Sequence, residues 1–265
     1  MNTDVVERYD YKGYSILVER DSDPMNPRKE FDNAGTMICA HDRYDLGDVK
    51  GLKSSEDLLS HMGQQCSGWD ALLERQEKRA AASLISYDNL EYWRQFERDC
   101  HEEKMSLIQK HLIVLSCFLY DHGGITMNCH GFSCGWDSGQ VGFIYITRKQ
   151  AVEEWGKKIC SKKVVERATK YLEGEVETYD QYLTGQVYGR RVLKPANPAL
   201  VEALGDIRDV DDDDREEIDS CWGYFGYEET QEDSELVAEG KNIVDWDIEN
   251  QPKKELENLV NAVMQ

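Results

Sequence analysis

Residues 112–147 carry two apolar runs rich in β-branched and aromatic residues, "LIVLSCFLY" and "VGFIYIT", separated by turn chemistry. Runs of this length suit strands and are too short for independent helices. Gly123-Gly124 is a hairpin signal, with "ITMNC" as the returning strand. "DSGQ" supplies a second turn before "VGFIYIT". Thr147 with Gln150 then forms the capping box of a helix over "RKQAVEEWG". The segment reads as a β-meander that hands the chain to a helix. Trp136 belongs to the "WDSGQ" turn and is expected to fill the space behind it.

The flanking sequence is patterned in the same way. Tyr14, Ile16 and Val18 alternate with Ser15 and Glu19, the mark of a half-buried strand. "TMICAHDRY" reads as a second strand, expected to pair with the first. Residues 54–110 look helical, opened by Ser54 or Ser55 as N-cap and carrying Leu90, Trp93, Phe96 and Cys100 at spacings of three and four. Residues 161–183 form the clearest helix, capped by Ser161, striped by Val165, Ala168, Leu172, Val176 and Tyr179, and stopped near Gly185. "QVYGRRVL" and "SCWGYFGY" read as a hairpin joined by a long acidic excursion, and "KKELENLVNAVMQ" as a terminal helix. No internal repeat is present. The order predicts an α+β fold, a mostly antiparallel sheet with helices packed on one face. It predicts one domain over residues 1–265, with 206–249 an acidic, partly mobile region.

Net charge bounds the functional classes. The chain holds 52 acidic and 31 basic residues, a net charge of −21. Direct binding to a nucleic-acid backbone or an anionic membrane needs clustered Lys and Arg, so neither is expected. No apolar run is long enough to span a membrane, and "MNTDVVERYDYKG" has no apolar signal core. The 8 cysteines follow no framework spacing, so reduced thiols in a cytoplasm are the expectation.

The charge is uneven. Asp206 to Glu249 contains 18 carboxylates against Arg208, Arg215 and Lys241, a net of −15. The plainest reading is a solvated loop held extended by self-repulsion. A Ca²⁺ or Mg²⁺ site is a second reading, but "DVDDDDREEID" lacks the EF-hand glycine and its spacing. A third is a surface for a basic partner. An extended Asp run approaches the charge density of duplex DNA, about one charge per 1.7 Å of axis. The residues for that reading are Asp211, Asp212, Asp213, Asp214, Glu216, Glu217, Glu228 and Glu229, with Trp222, Tyr224 and Phe225 as anchors.

Two further constellations carry chemistry. His41-Asp42 and Asp121-His122 are candidate catalytic pairs that could meet over one metal in a hydrolase or nuclease. Cys129, His130 and Cys134, with His122 across the hairpin turn, are candidate zinc ligands. Against zinc, there is no C-x-x-C, and neighbouring residues in a strand point to opposite faces. Against an enzyme, there is no H-E-x-x-H, phosphate-cradling glycine loop or G-x-S-x-G. No cofactor is expected.

Five phrases occur together: "DSDPMNPRKEFDNAGTMICAHDRYDLGD", "LYDHGGITMN", "FSCGWDSGQVGFIYIT", "YLTGQVYG" and "DSCWGYFG". From Tyr11 to Gly226 the chain resembles a set of uncharacterised proteins carried by bacteriophages and prophages. The resemblance implies a phage accessory protein made inside the bacterial host cell. It assigns no site residue. Accessory phage genes often counter host defences, which favours an acidic protein that binds a basic, nucleic-acid-binding defence factor by charge mimicry. A metal-dependent hydrolase or nuclease is the alternative. A structural or packaging role, as a homo-oligomer, is compatible with the Tyr- and Trp-rich composition.

Overall fold

The computed structural model describes residues 5–83, 90–195 and 214–238. In chain order the elements are β1 (Val5–Tyr11), β2 (Tyr14–Arg20), α1 (Pro27–Glu30), β3 (Thr36–Cys39), α2 (Ser55–Gly63), α3 (Trp69–Ala82) and α4 (Leu90–His111). They continue as β4 (Leu112–Asp121), β5 (Ile125–Asn128), β6 (Ser138–Thr147), α5 (Arg148–Glu154) and α6 (Lys162–Leu183). The last are β7 (Val187–Pro195), β8 (Arg215–Phe225) and α7 (Tyr227–Ala238). The fold is α+β, and every strand pairing is antiparallel. No helix among the described residues is long and apolar enough to cross a membrane.

Contacts divide the chain into two compact units. The terminal unit joins Met1–Met25 to Gly185–Gln265, and the central unit is Asn26–Thr184.

The central sheet has the order β3-β6-β4-β5. This corrects the meander, because β6 returns to the far edge of β4 instead of extending from β5. Ile113 stands opposite Ile146 and Leu119 opposite both Met127 and Gly139. The cause lies in β4 itself. Ile113, Cys117 and Leu119 enter one core cluster, whereas Leu112 and Val114 enter another. A strand apolar on both faces belongs in the middle of a covered sheet. The same alternation splits β3, with Met37 and Cys39 on one side and Ile38 on the other. Helices contribute to both core clusters. Val164, Ala168, Leu172, Val176 and Tyr179 of α6 pack with Met37 and Ile144. Leu58, Leu59, Met62, Trp69, Leu72 and Ile108, from α2, α3 and α4, pack with Ile38 and Tyr145.

Two capping boxes form, whereas Ser161 is the N-cap of α6 without a side-chain capping hydrogen bond. Ser54 and Asp57 form a reciprocal capping box at α2, and Thr147 and Gln150 do so at α5. The expected pairing of "TMIC" with the first strand does not form, because β3 pairs with β6. Both edges of β2 are already occupied, by β1 and β7.

A close approach fixes Gly35 at the entry to β3. A Cβ there would overlap the Leu172 Cδ2 methyl and come within 3.0 Å of Glu175 Oε2 and 3.1 Å of Ile144 Cδ1. Gly35→Ala is therefore expected to cost the central unit about 1–3 kcal/mol by overpacking. Denaturant unfolding measures this, and an unchanged midpoint would contradict the packing described.

The terminal sheet has the order β1-β2-β7-β8. Ile16, Val18, Tyr188 and Val192 form its core with Ala238 of α7, and Tyr9, Tyr11, Tyr14 and Tyr227 pack around them. The expected hairpin of β7 and β8 is present.

Candidate functional site

His41 and Asp42 follow β3, and Asp121 ends β4 two strands away. The strand ends bring them to one open cleft of about 650 Å³ in the central unit, with Arg43, Lys53, Trp136 and Asp137 also on its walls. The first three were candidates on sequence, and the cleft brings them together. His122 is not among the lining residues. It is exposed on the hairpin turn, with Nδ1 3.2 Å from Asp137 Oδ2.

The polar groups of the cleft are largely committed to one another. Asp121 accepts hydrogen bonds from Arg43 Nη2 and, at 3.2 Å, from the Tyr44 hydroxyl. Its amide donates to the Asp137 carbonyl at 2.8 Å. His41 Nδ1 accepts from the Arg43 and Tyr44 amides at 3.2 and 3.3 Å, while its ring stacks on Tyr44 at 4.9 Å. Both partners of Nδ1 can only donate, so the proton of the neutral ring sits on Nε2. His41 Nδ1 is thus already engaged by the backbone, and Asp121 is held by the Arg43 guanidinium. Among the described residues, no three His, Cys, Asp or Glu side chains group as a metal site.

Trp136 differs from its expected role. Its surface is 97% exposed on the turn before β6, so it does not fill the space behind that turn. The cations Arg43 and Lys53 were missed on sequence. For Arg43 the only signal was the polar phrase "HDRY" following an apolar run, and Lys53 had none.

The structure does not assemble the candidate zinc ligands. Cys129 packs against the core cluster beneath α6, whereas His130 is exposed and gives its amide to Asn128 Oδ1 at 2.9 Å. Cys134 lies in the following loop, where its carbonyl accepts from the Ser138 hydroxyl.

The acidic candidates lie in the terminal unit. Asp211, Asp212 and Asp213, with the rest of 196–213 and 239–265, lie outside the described residues. Several of the others are neutralised by the chain's own cations. Glu216 pairs with Lys194 at 3.3 Å and Glu217 with Arg191 at 2.6 Å. The hydrogen bond from Arg191 is the main reason the Glu217 carboxyl sits below its usual range. Asp214, Glu228 and Glu229 are exposed and join no ion pair among the described residues. The last two occupy the first turn of α7, where the helix amides favour carboxylates.

The three anchors do not share a face. Gly223, at φ +87°, shifts the register so that Tyr224 faces Tyr188 while Trp222 faces Gly189. Trp222 lies over Gly189, where a Cβ would overlap its ring, and stays 47% exposed. The Tyr224 hydroxyl turns to the other side and donates to Asp233 of α7. Phe225 is half-buried opposite Val187.

No protein-family model matches the chain, and no match is found among curated proteins or solved structures.

Proposed function

We propose that this protein is a non-catalytic, acidic binding protein of phage origin that acts in the bacterial cytoplasm and engages a basic, nucleic-acid-binding host protein through its terminal unit. The observation that carries this reading is the segregation of charge. The terminal unit holds 27 acidic and 11 basic residues, a net of −16, and the central unit 25 and 20, a net of −5. A single-sign field of that size attracts cationic surfaces and speeds encounter with them. The internal pairing on β8 narrows the contact to the Asp211–Asp214 run and the exposed carboxylates Glu228, Glu229 and Glu232 of α7. Trp222 supplies an apolar contact on the opposite face of the sheet.

The test uses tagged full-length protein exposed to host lysate, with bound proteins eluted in a salt gradient. Retained proteins are expected to be basic, to be displaced by duplex DNA, and to bind at least about tenfold more weakly at 0.5 M salt than at 0.05 M. Combining Glu228→Lys and Glu229→Lys with Asn at each of Asp211 to Asp214 is expected to abolish retention. Binding that survives both treatments removes the reading.

One observation favours a second reading, hydrolysis at the cleft, because His41, Asp42 and Asp121 do line the same cavity. It predicts turnover of a simple phosphodiester with added Mn²⁺ or Mg²⁺ and its loss in Asp121→Asn. Absence of turnover in the unsubstituted protein ends it.

A further inference from the structure

We propose that Cys117 and Cys129 are a peroxide-sensitive thiol pair whose disulfide staples the β4–β5 hairpin at its base. The register carries the geometry. Phe118 stands opposite Asn128 and Leu119 opposite Met127, so continuing the register one residue past the end of β5 brings Cys129 beside Cys117. Directly opposed residues of an antiparallel pair have Cα atoms about 4.5–5.5 Å apart, inside the 4.4–6.8 Å range of disulfides. The side chains also share a face, since Cys117 belongs to the core cluster beneath α6 and Cys129 packs against that same cluster.

The partners are unequal in a way that assigns roles. Cys129 is half-buried and Cys117 fully buried, so an oxidant reaches Cys129 first. The neighbouring Cys117 thiol holds the Cys129 thiol below its ordinary pKa, and contact with Cys129 together with burial pushes Cys117 above it. The Cys129 thiolate attacks the peroxide O–O bond, giving a sulfenic acid and releasing hydroxide. Cys117 sulfur then attacks the sulfenic sulfur, forming the S–S bond and expelling hydroxide as its own proton leaves, so the second oxygen also ends as water. Two thiols lose two electrons, and one hydrogen peroxide becomes two waters. Cys39 stands in the same row across Gly142. Burial pushes its thiol up to about 12, and β6 lies between it and the β4–β5 hairpin. The new bond closes the loop 117–129, which carries Asp121 and the turn beside the cleft.

The experiment treats the reduced full-length chain with hydrogen peroxide, alkylates the remaining thiols and maps the linkage by mass spectrometry. Trypsin leaves Cys117, Cys129 and Cys134 on one peptide, 111–148, so chymotrypsin is used to cut between them at Phe118 or Tyr120. The expected product joins the Cys117 and Cys129 peptides with a loss of two hydrogens. Its formation is expected to raise the melting temperature by roughly 5–10 °C, reversed by a thiol reductant. Neither Cys117→Ser nor Cys129→Ser should show the shift. Linkage of Cys129 to Cys134, oxidation of Cys129 without linkage, or no reaction at Cys129 overturns the proposal, and each is read on the unsubstituted protein.

Discussion

Replacing Arg28 by methionine is expected to destabilise the central unit by about 3–5 kcal/mol, the usual cost of removing one partner from a buried ion pair. The Arg28 side chain is 1% exposed, and all five of its N–H donors are used. Nε and Nη2 reach the two Asp48 oxygens at 2.9 and 2.5 Å. Nη1 donates to Glu175 Oε2 at 2.7 Å and to Asn33 Oδ1 at 3.2 Å, and Nη2 also donates to the Gly35 carbonyl at 2.7 Å. Burial alone would lower the Arg28 pKa, but the two carboxylates outweigh it and hold the guanidinium above its ordinary value. The carboxylates are tied in turn. Asp48 Oδ2 accepts from the Met37 amide at 2.7 Å, and Glu175 Oε1 from the Ala34 and Gly35 amides at 2.8 and 3.0 Å. One guanidinium thus fixes α1, the loop into β3, the 45–48 turn and α6. Methionine keeps much of the bulk and strands two carboxylates. Lysine keeps the charge but cannot present five donors in a fork, so Arg28→Lys is expected to recover only part of the loss. In a double-mutant cycle, Glu175→Gln should cost less in the Arg28→Met background than in the native one. A loss below about 1 kcal/mol for Arg28→Met in urea unfolding would show that the network does not hold the unit.

This network also explains a phrase that sequence alone left opaque. "PRKEFDNAG" and "DLGD" supply Arg28, Asn33, Gly35 and Asp48. These residues tie the loop into β3 through the Arg28 network. Their partner Glu175 lies 147 positions away from Arg28 on a helix whose sequence shows only an apolar stripe. Local pattern contains no trace of such a pairing. Most central elements were legible, because periodicity, caps and turn residues are local, but β1 and α7 were not foreseen. Ser54, Thr147, Gly123-Gly124 and the α6 stripe all stand where the sequence set them. Strand partnership was not legible, because it is decided by which edges and faces are left to cover. For that reason β3 went to β6, and β6 to β4. The cleft was half legible. The His and Asp residues could be named, but not the Arg43 and Tyr44 contacts that commit Asp121.

In the terminal unit, Arg190→Met is expected to cost about 3–5 kcal/mol for the same reason, and to do so at the heart of the acidic region. Arg190 Nε bonds Asp233 Oδ2, and Nη1 reaches Asp219 Oδ2 at 2.5 Å. Burial works against the Arg190 charge, but Asp219 and Asp233 more than offset it and raise its pKa. Asp233 sits on α7 with its side chain 5% exposed, and it also accepts the Tyr224 hydroxyl. Sequence counted Asp233 with the solvated acids, whereas it is a buried counterion. Loss of Arg190 leaves that charge without its cation between helix and sheet, so α7 should detach from β7 and β8. Hydrogen exchange locates the effect: amides of β7, β8 and α7 lose protection while those of the central unit keep theirs. Asp219 is 42% exposed, so Asp219→Asn is expected to cost under about 1 kcal/mol. The two variants separate structural carboxylates from those free to meet a partner. If Asp219→Asn proved as damaging as Arg190→Met, β8 would hold its shape through surface charge. The terminal unit would then be spending its acids on its own fold, with fewer left for a basic companion.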